Sequence, residues 1–192
     1  SYAFSYLFYD CQVLIAAPSL PAKTLAYSCY SHMFDGCISL ATAPALPATT
    51  LTDYCYAYMF WGCWVMQAAP TLPATTLASY CYEYMFVACR AITTAPALPA
   101  TKLSTGCYKN MFGGCTALKS APALPATTMV HECYAYMFYS CSTLTSASAL
   151  PATTLSTYCY RSMYDGCSAL ANLPKLPAIS LQTGCYNFMF YG

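Results

Sequence analysis

Residues 46–71 read LPATTLTDYCYAYMFWGCWVMQAAPT, and at Leu72 the phrase begins again. The same phrase opens at Leu20, Leu98, Leu124, Leu150 and Leu176. Its spacing is marked without a slip by two cysteine series: Cys11, Cys37, Cys63, Cys89, Cys115, Cys141 and Cys167, and Cys29, Cys55, Cys81, Cys107, Cys133, Cys159 and Cys185. Self-similarity at a fixed period of this length is the signature of a solenoid, in which each unit buries its apolar face only against its neighbours. The chain divides into a partial repeat at 1–19, full repeats at 20–45, 46–71, 72–97, 98–123, 124–149 and 150–175, and a partial repeat at 176–192. No composition shift or linker separates them, so 1–192 reads as a single repeat domain.

Within 46–71, Leu51, Cys55, Met59 and Cys63 follow one another at intervals of four, and Tyr56 and Phe60 widen the stripe. Such spacing predicts one buried face of a short helix. Thr49 or Thr50 would cap it, and Gly62, like Gly36, Gly114 and Gly166 in other copies, would release the chain from its end. The second half, as in Cys37 to Pro44, is too short for a helix and predicts an extended rung with Leu40 pointing inward. Pro44 and Pro47 restrict the turn into the next copy. Stacking would then align Leu40, Met66, Ile92, Leu118, Leu144 and Leu170 in one core column, and Phe34, Phe60, Phe86, Phe112, Phe138 and Tyr164 in another. The expected fold is thus an α/β solenoid, a leucine-rich-repeat-like right-handed stack of about seven 26-residue coils, each a short helix plus a short extended strand.

The elements MFxGCxxL and LPATTL resemble the leucine-rich repeats of the BspA type, found in surface proteins of anaerobic and oral bacteria and of some mucosal protists. The resemblance spans essentially the whole chain. It implies an extracellular or cell-surface binding or adhesion module whose partner is a protein or glycan surface.

Composition narrows the alternatives. Lys and Arg total 7, Asp and Glu total 6, and the net charge is +1, so only 7% of residues are charged. So weak a field gives little attraction for nucleic acid, and none is expected as a partner. No run of 18 apolar residues predicts a transmembrane segment. Catalysis is not expected: no carboxylate pair recurs at fixed spacing, neither His32 nor His131 has a nearby nucleophile and orienting acid, and no phosphate-binding glycine loop occurs. Asp10, Asp35 and Asp165 share one phase of the repeat, yet one carboxylate per coil falls short of a calcium site. No cofactor or metal is expected.

Two uses remain open for the cysteines. Bridges between residues 18 apart, from Cys11 with Cys29 and Cys37 with Cys55 through Cys167 with Cys185, would employ all fourteen and staple each coil to the next, whereas pairs eight apart would strand Cys11 and Cys185. Eight helical residues rise about 12 Å, and bridged α-carbons lie within about 7 Å, so bridging requires a bend at the Gly-Cys step. Without it, both series are small buried hydrophobes.

Tyr30, Tyr56, Tyr82, Tyr108, Tyr134, Tyr160 and Tyr186 each follow a cysteine and form a ladder that is either core packing or an amphipathic contact stripe. Tyr58, Tyr84 and Tyr136 form a looser group beside it with His32. A second class of function is a structural fibre subunit or stalk, built by lateral or end-to-end association with further copies of the chain. On either reading the stable object is expected to be a longer chain or an assembly.

Overall fold

A computed structural model describes all 192 residues. The 26-residue coil is confirmed, but its content corrects the expectation: there is no helix, and the only sheet-like pairings are seven isolated parallel bridges. Each bridge joins residues one repeat apart, as Thr24 with Thr50 and Thr128 with Thr154. The threonines read as helix caps are therefore exposed residues of an extended segment, with Thr50 bridged to the coil before it.

The stretch that looked helical is a ladder of turns. Within one coil, Cys55, Ala57, Met59, Trp61 and Cys63 donate their amides three residues back, to Thr52, Tyr54, Tyr56, Tyr58 and Phe60, at 3.1–3.3 Å. The intervening amides of Tyr54, Tyr56, Tyr58, Phe60 and Gly62 donate instead to Ser79, Cys81, Glu83, Met85 and Val87 of the next coil, at 2.8–3.1 Å. Every amide from 54 to 63 is thereby paired, which is what a buried backbone requires. A helix would direct all of them along its own axis and leave nothing for the neighbouring coil.

Every fourth residue of this ladder has a left-handed backbone: Tyr54, Tyr58 and Gly62 lie at φ 57°, 60° and 70°. Tyr58 and Gly62 are the third residues of the turns 56–59 and 60–63, the place where a type II turn demands positive φ. The chain therefore reverses its twist every four residues and cannot propagate a helix. Seventeen residues other than glycine accept this conformation, at about 1–2 kcal/mol each. In the column that contains Asp10, five of eight residues are glycine, and Gly36, Gly114 and Gly166 follow the same rule as Gly62. The glycines before the second cysteines are thus explained by turn geometry, not by the end of a helix.

After each left-handed residue the next two side chains face inward. Cys55 with Tyr56, and Met59 with Phe60, are buried, and Cys63 begins the next inward pair of the cycle. The core columns expected from the sequence are present, with Leu40, Met66, Ile92, Leu118 and Leu144 buried and Leu170 partly so. The phenylalanine rings stack coil upon coil, from Phe8 on Phe34 at 5.4 Å to Phe112 on Phe138 at 5.8 Å, with nearly parallel planes. Stacking of identical rings at the coil rise gives one continuous core of 52 buried residues. Leucines and alanines of the proline-rich segment, such as Leu72 and Ala74, close its other side.

One deviation shows how closely the columns are coupled. Where other copies have a proline facing the phenylalanine of the next coil, as Pro44 with Phe60 and Pro122 with Phe138, this position holds Ser148 and Tyr164. Ser148 brings back an amide that proline lacks. The Tyr164 hydroxyl accepts it at 3.0 Å, and the Ser148 hydroxyl donates to the Pro122 carbonyl at 2.7 Å.

Candidate functional site

The cysteines lie inside, and all fourteen are unpaired thiols. None of the bridges considered from the sequence, across 18 or across 8 residues, is formed. In the series that begins at Cys11, each thiol from Cys37 onward instead donates to the phenylalanine carbonyl of the preceding coil: Cys37 to Phe8, Cys63 to Phe34, Cys89 to Phe60, Cys115 to Phe86, Cys141 to Phe112 and Cys167 to Phe138, at 3.0–3.3 Å. A small apolar side chain with one weak donor suits this place. Burial pushes the thiols of Cys37 and Cys167 up to about 11, and those of Cys55 and Cys107 up to about 12. Cys81, Cys89, Cys115, Cys133 and Cys141 rise well above the ordinary thiol range for the same reason. Groups held so firmly protonated are poor nucleophiles. No cluster of three or more His, Cys, Asp or Glu side chains is placed to hold a metal ion.

The tyrosine ladder is also interior. Tyr30 is 4% exposed, Tyr56 to Tyr160 are 1% exposed, and Tyr186 in the last coil is partly covered. Their rings stack at 5.7–5.9 Å. The hydroxyls of Tyr82 and Tyr134 are buried without a protein partner. These residues fill volume in the core, and the outward aromatic surface is formed by others.

That surface is a ridge of aromatic side chains on the left-handed turn positions. Tyr6, His32, Tyr58 and Tyr84 stack in succession at 4.5, 4.4 and 4.8 Å, with planes within 10° of parallel. Trp61 lies against both Tyr58 and Tyr84, at 5.4 and 5.7 Å. Tyr54 stacks on Tyr80 along one flank, and on the other Arg90 covers Trp64 at 5.3 Å. The ridge is half-buried to exposed, so rings held in place by the backbone present their edges to solvent. The looser tyrosine group noticed in the sequence, Tyr58 and Tyr84 with His32, is its centre. The rest was missed because a helical reading scatters these positions around a cylinder.

Charge on the ridge is sparse and paired. His32 Nδ1 lies 2.8 Å from Asp35. Lys109 donates to Glu132 at 2.6 Å, and although burial opposes its charge, this bond and the nearby carboxylates raise its pKa. Burial pushes Glu83 up to about 7, against the attraction of Lys109 and with reinforcement from Glu132.

The opposite face carries shallow grooves of about 380, 470 and 460 Å³ between successive proline-rich segments, lined by residues such as Pro96, Pro99, Pro122 and Pro125, and by Pro151 and Pro174 in the next copies. They lack the converging polar groups that fix a small ligand. No helix is long and apolar enough to cross a membrane. No family model matches the chain, and no curated protein or solved structure is significantly similar to it.

Proposed function

We propose that the chain is a non-enzymatic repeat scaffold of a cell-surface or secreted protein, mediating adhesion through contacts with a protein or glycan surface. The observation that carries this reading is the ridge Tyr6–His32–Tyr58–Tyr84 with Trp61. Aromatic side chains already stacked on a hydrogen-bonded backbone lose little entropy on binding, which is what makes such residues effective contact groups. The repeat resemblance points the same way. The extracellular placement rests on that resemblance, since unpaired cysteines carry no argument about compartment.

The test is binding of the 192-residue chain to arrayed glycans and to purified mucin and matrix glycoproteins, read by surface plasmon resonance. The chain should bind at least one of them. A variant with Tyr6, Tyr58 and Trp61 replaced by serine should lose that binding while keeping its circular dichroism. Absence of any binding, or equal binding by the variant, overturns the reading.

The second reading is a fibre subunit. The amides of Gly184, Tyr186, Phe188, Phe190 and Gly192 have no backbone acceptor, and the carbonyls of Ala3, Ser5, Leu7 and Tyr9 have no backbone donor. Between coils inside the stack these two rows are partners. Phe4, Leu7, Val13 and Ile15 on one face, and Leu173, Ile179, Leu181 and Phe188 on the other, are exposed. In that reading a head-to-tail contact between copies pairs both rows and covers both apolar faces, as further coils of the same chain would equally do. Sedimentation velocity distinguishes the readings: concentration-dependent linear oligomers, abolished by Leu7→Lys, support the fibre, and a monomer at high concentration removes it.

A further inference from the structure

The ridge has a missing rung. Tyr6, His32, Tyr58 and Tyr84 occupy one position of four successive coils; the fifth coil places Asn110 there and the sixth Tyr136. Tyr84 has one face covered by Tyr58 at 4.8 Å. The Arg161 guanidinium, from the coil that follows Tyr136, lies over the Tyr136 ring at 5.6 Å. The remaining face of each tyrosine is turned toward the coil of Asn110, which has no ring to offer.

Asn110 does not fill the gap. Its amide is folded down over Gly113, where any β-carbon would collide with Oδ1, so the side chain floors the notch. That Oδ1 is buried and has no hydrogen-bond partner. Coils repeat at about 4.8 Å, so Tyr84 and Tyr136 stand about 9–10 Å apart, the span of two rungs. One flat ring inserted midway would stack on both at the spacing already found along the ridge, and offset-stacked aromatic pairs are favourable at such distances. Among the charges at the rim, Lys109 is paired with Glu132, Glu83 is buried, and the Arg161 guanidinium lies against the Tyr136 ring.

We propose that the notch between Tyr84 and Tyr136 is a binding slot for one planar aromatic ring of the indole or phenol class. The proposal deepens the reading of the ridge as a contact surface and names the group it takes. The ring has two sources of the same chemistry, a free small molecule or the side chain of a tryptophan or tyrosine on a partner polypeptide.

Titration of the 192-residue chain by saturation-transfer NMR and calorimetry, with indole, N-acetyltryptophanamide and cyclohexanol as probes, tests it. Indole should bind in the roughly 0.1–1 mM range expected of so small a ligand, and cyclohexanol, which has no π face, at least tenfold more weakly. Asn110→Tyr supplies the missing rung with the residue resident in neighbouring coils, and should weaken indole at least tenfold without loss of fold. N-acetyltryptophanamide binding as well as indole assigns the slot to a side chain, and indole binding alone assigns it to a small molecule. No indole binding by the wild type, or indole binding unchanged in Asn110→Tyr, overturns the proposal. In the wild type, glycoprotein binding without indole binding sinks the slot alone. Indole binding in a chain that binds no glycoprotein sinks the adhesion reading instead.

Discussion

Replacing Tyr164 by phenylalanine removes one oxygen atom and restores the residue found at this position in other copies, yet it should destabilise the chain. The hydroxyl accepts the Ser148 amide at 3.0 Å, and both residues are buried, at 1% and 4% exposure. Without it the amide is left with no acceptor, which costs about 1–3 kcal/mol. Ser148→Pro alone strands the Tyr164 hydroxyl and gives up the 2.7 Å bond to Pro122. The double variant recreates the proline–phenylalanine pair of the neighbouring coils, leaving neither the Ser148 amide nor the Tyr164 hydroxyl unpaired, and only the half-buried Pro122 carbonyl gives up its bond. Urea denaturation of all four proteins closes a double-mutant cycle. Its coupling energy should be about 1–3 kcal/mol, in the sense that the double variant is more stable than the sum of the singles. Because stacked coils need not unfold in one step, amide exchange at Leu144 and Ser162 supplies a local reading of the same quantity. A coupling below about 0.5 kcal/mol by both measures would show that the exchange of Pro–Phe for Ser–Tyr is not compensatory, and would refute the reasoning.

Three further outcomes follow from the geometry. Glu83 is held near 7 by burial, above the value of about 4.3 in an unfolded chain; a raised carboxyl binds its proton more tightly when folded, so stability is full below about pH 4, falls by roughly 3 kcal/mol between pH 4 and 7, and is level above that. Glu83→Gln should flatten this profile in urea titrations and stabilise the chain at pH 8, and an unchanged slope would locate the pH dependence elsewhere. Gly114, at φ 68° with nothing nearer than 3.7 Å to an added β-carbon, should lose only the conformational term on change to alanine, about 1–2 kcal/mol, whereas Gly106→Ala also drives the Tyr80 ring off its seat and should cost more in the same assay. Alkylation without reductant should label fourteen thiols in denaturant but none of the buried ones in the folded chain, where Cys11 alone is not fully covered; mass-mapped bridges between Cys37 and Cys55 would contradict the thiol-to-carbonyl ladder.

The period, the repeat boundaries and the inward columns were legible because each depends on one fact, that identical side chains must meet their own copies across the stack. The conformation between the columns was not, because a four-residue spacing is shared by two structures. A helix brings residues four apart to nearly the same face, and so does a turn cycle that closes every four residues. The two differ in drift: 3.6 residues per turn rotates the stripe by about 40° per step, so Cys55, Met59 and Cys63 in strict succession fit the turn ladder better. A second signal lay in the column of Asp10, Gly36, Gly62, Ala88, Gly114, Ser140, Gly166 and Gly192, whose small and glycine-rich membership marks a left-handed position. The tyrosines after the first cysteines carried the opposite ambiguity. A phenol suggests an edge with its hydroxyl in water, but position in the turn cycle directs the ring inward, and burying its area outweighs the hydroxyls of Tyr82 and Tyr134 left without partners.

The ridge is where stability and sequence part company. Tyr6, Tyr58, Tyr84 and Tyr136 are all left-handed, at φ 54–60°, a conformation that costs a side-chain-bearing residue about 1–2 kcal/mol. Their stacking returns about 0.5–1.5 kcal/mol per pair, and their rings cover little of the core. Glycine or asparagine would serve the fold about as well, as Asn110 and Ser162 do in the same column and glycine does four residues on. Inward columns need no such account, since Phe60 or Met85 is fully buried and its loss would cost several kcal/mol. Aromatic residues retained at positions where the backbone disfavours them, and where packing does not require them, are better explained by what they present outward than by what they hold together. This is the argument for the proposed contact surface lying on the turn face, with the proline-rich face and its small repeated side chains as the back on which it is built.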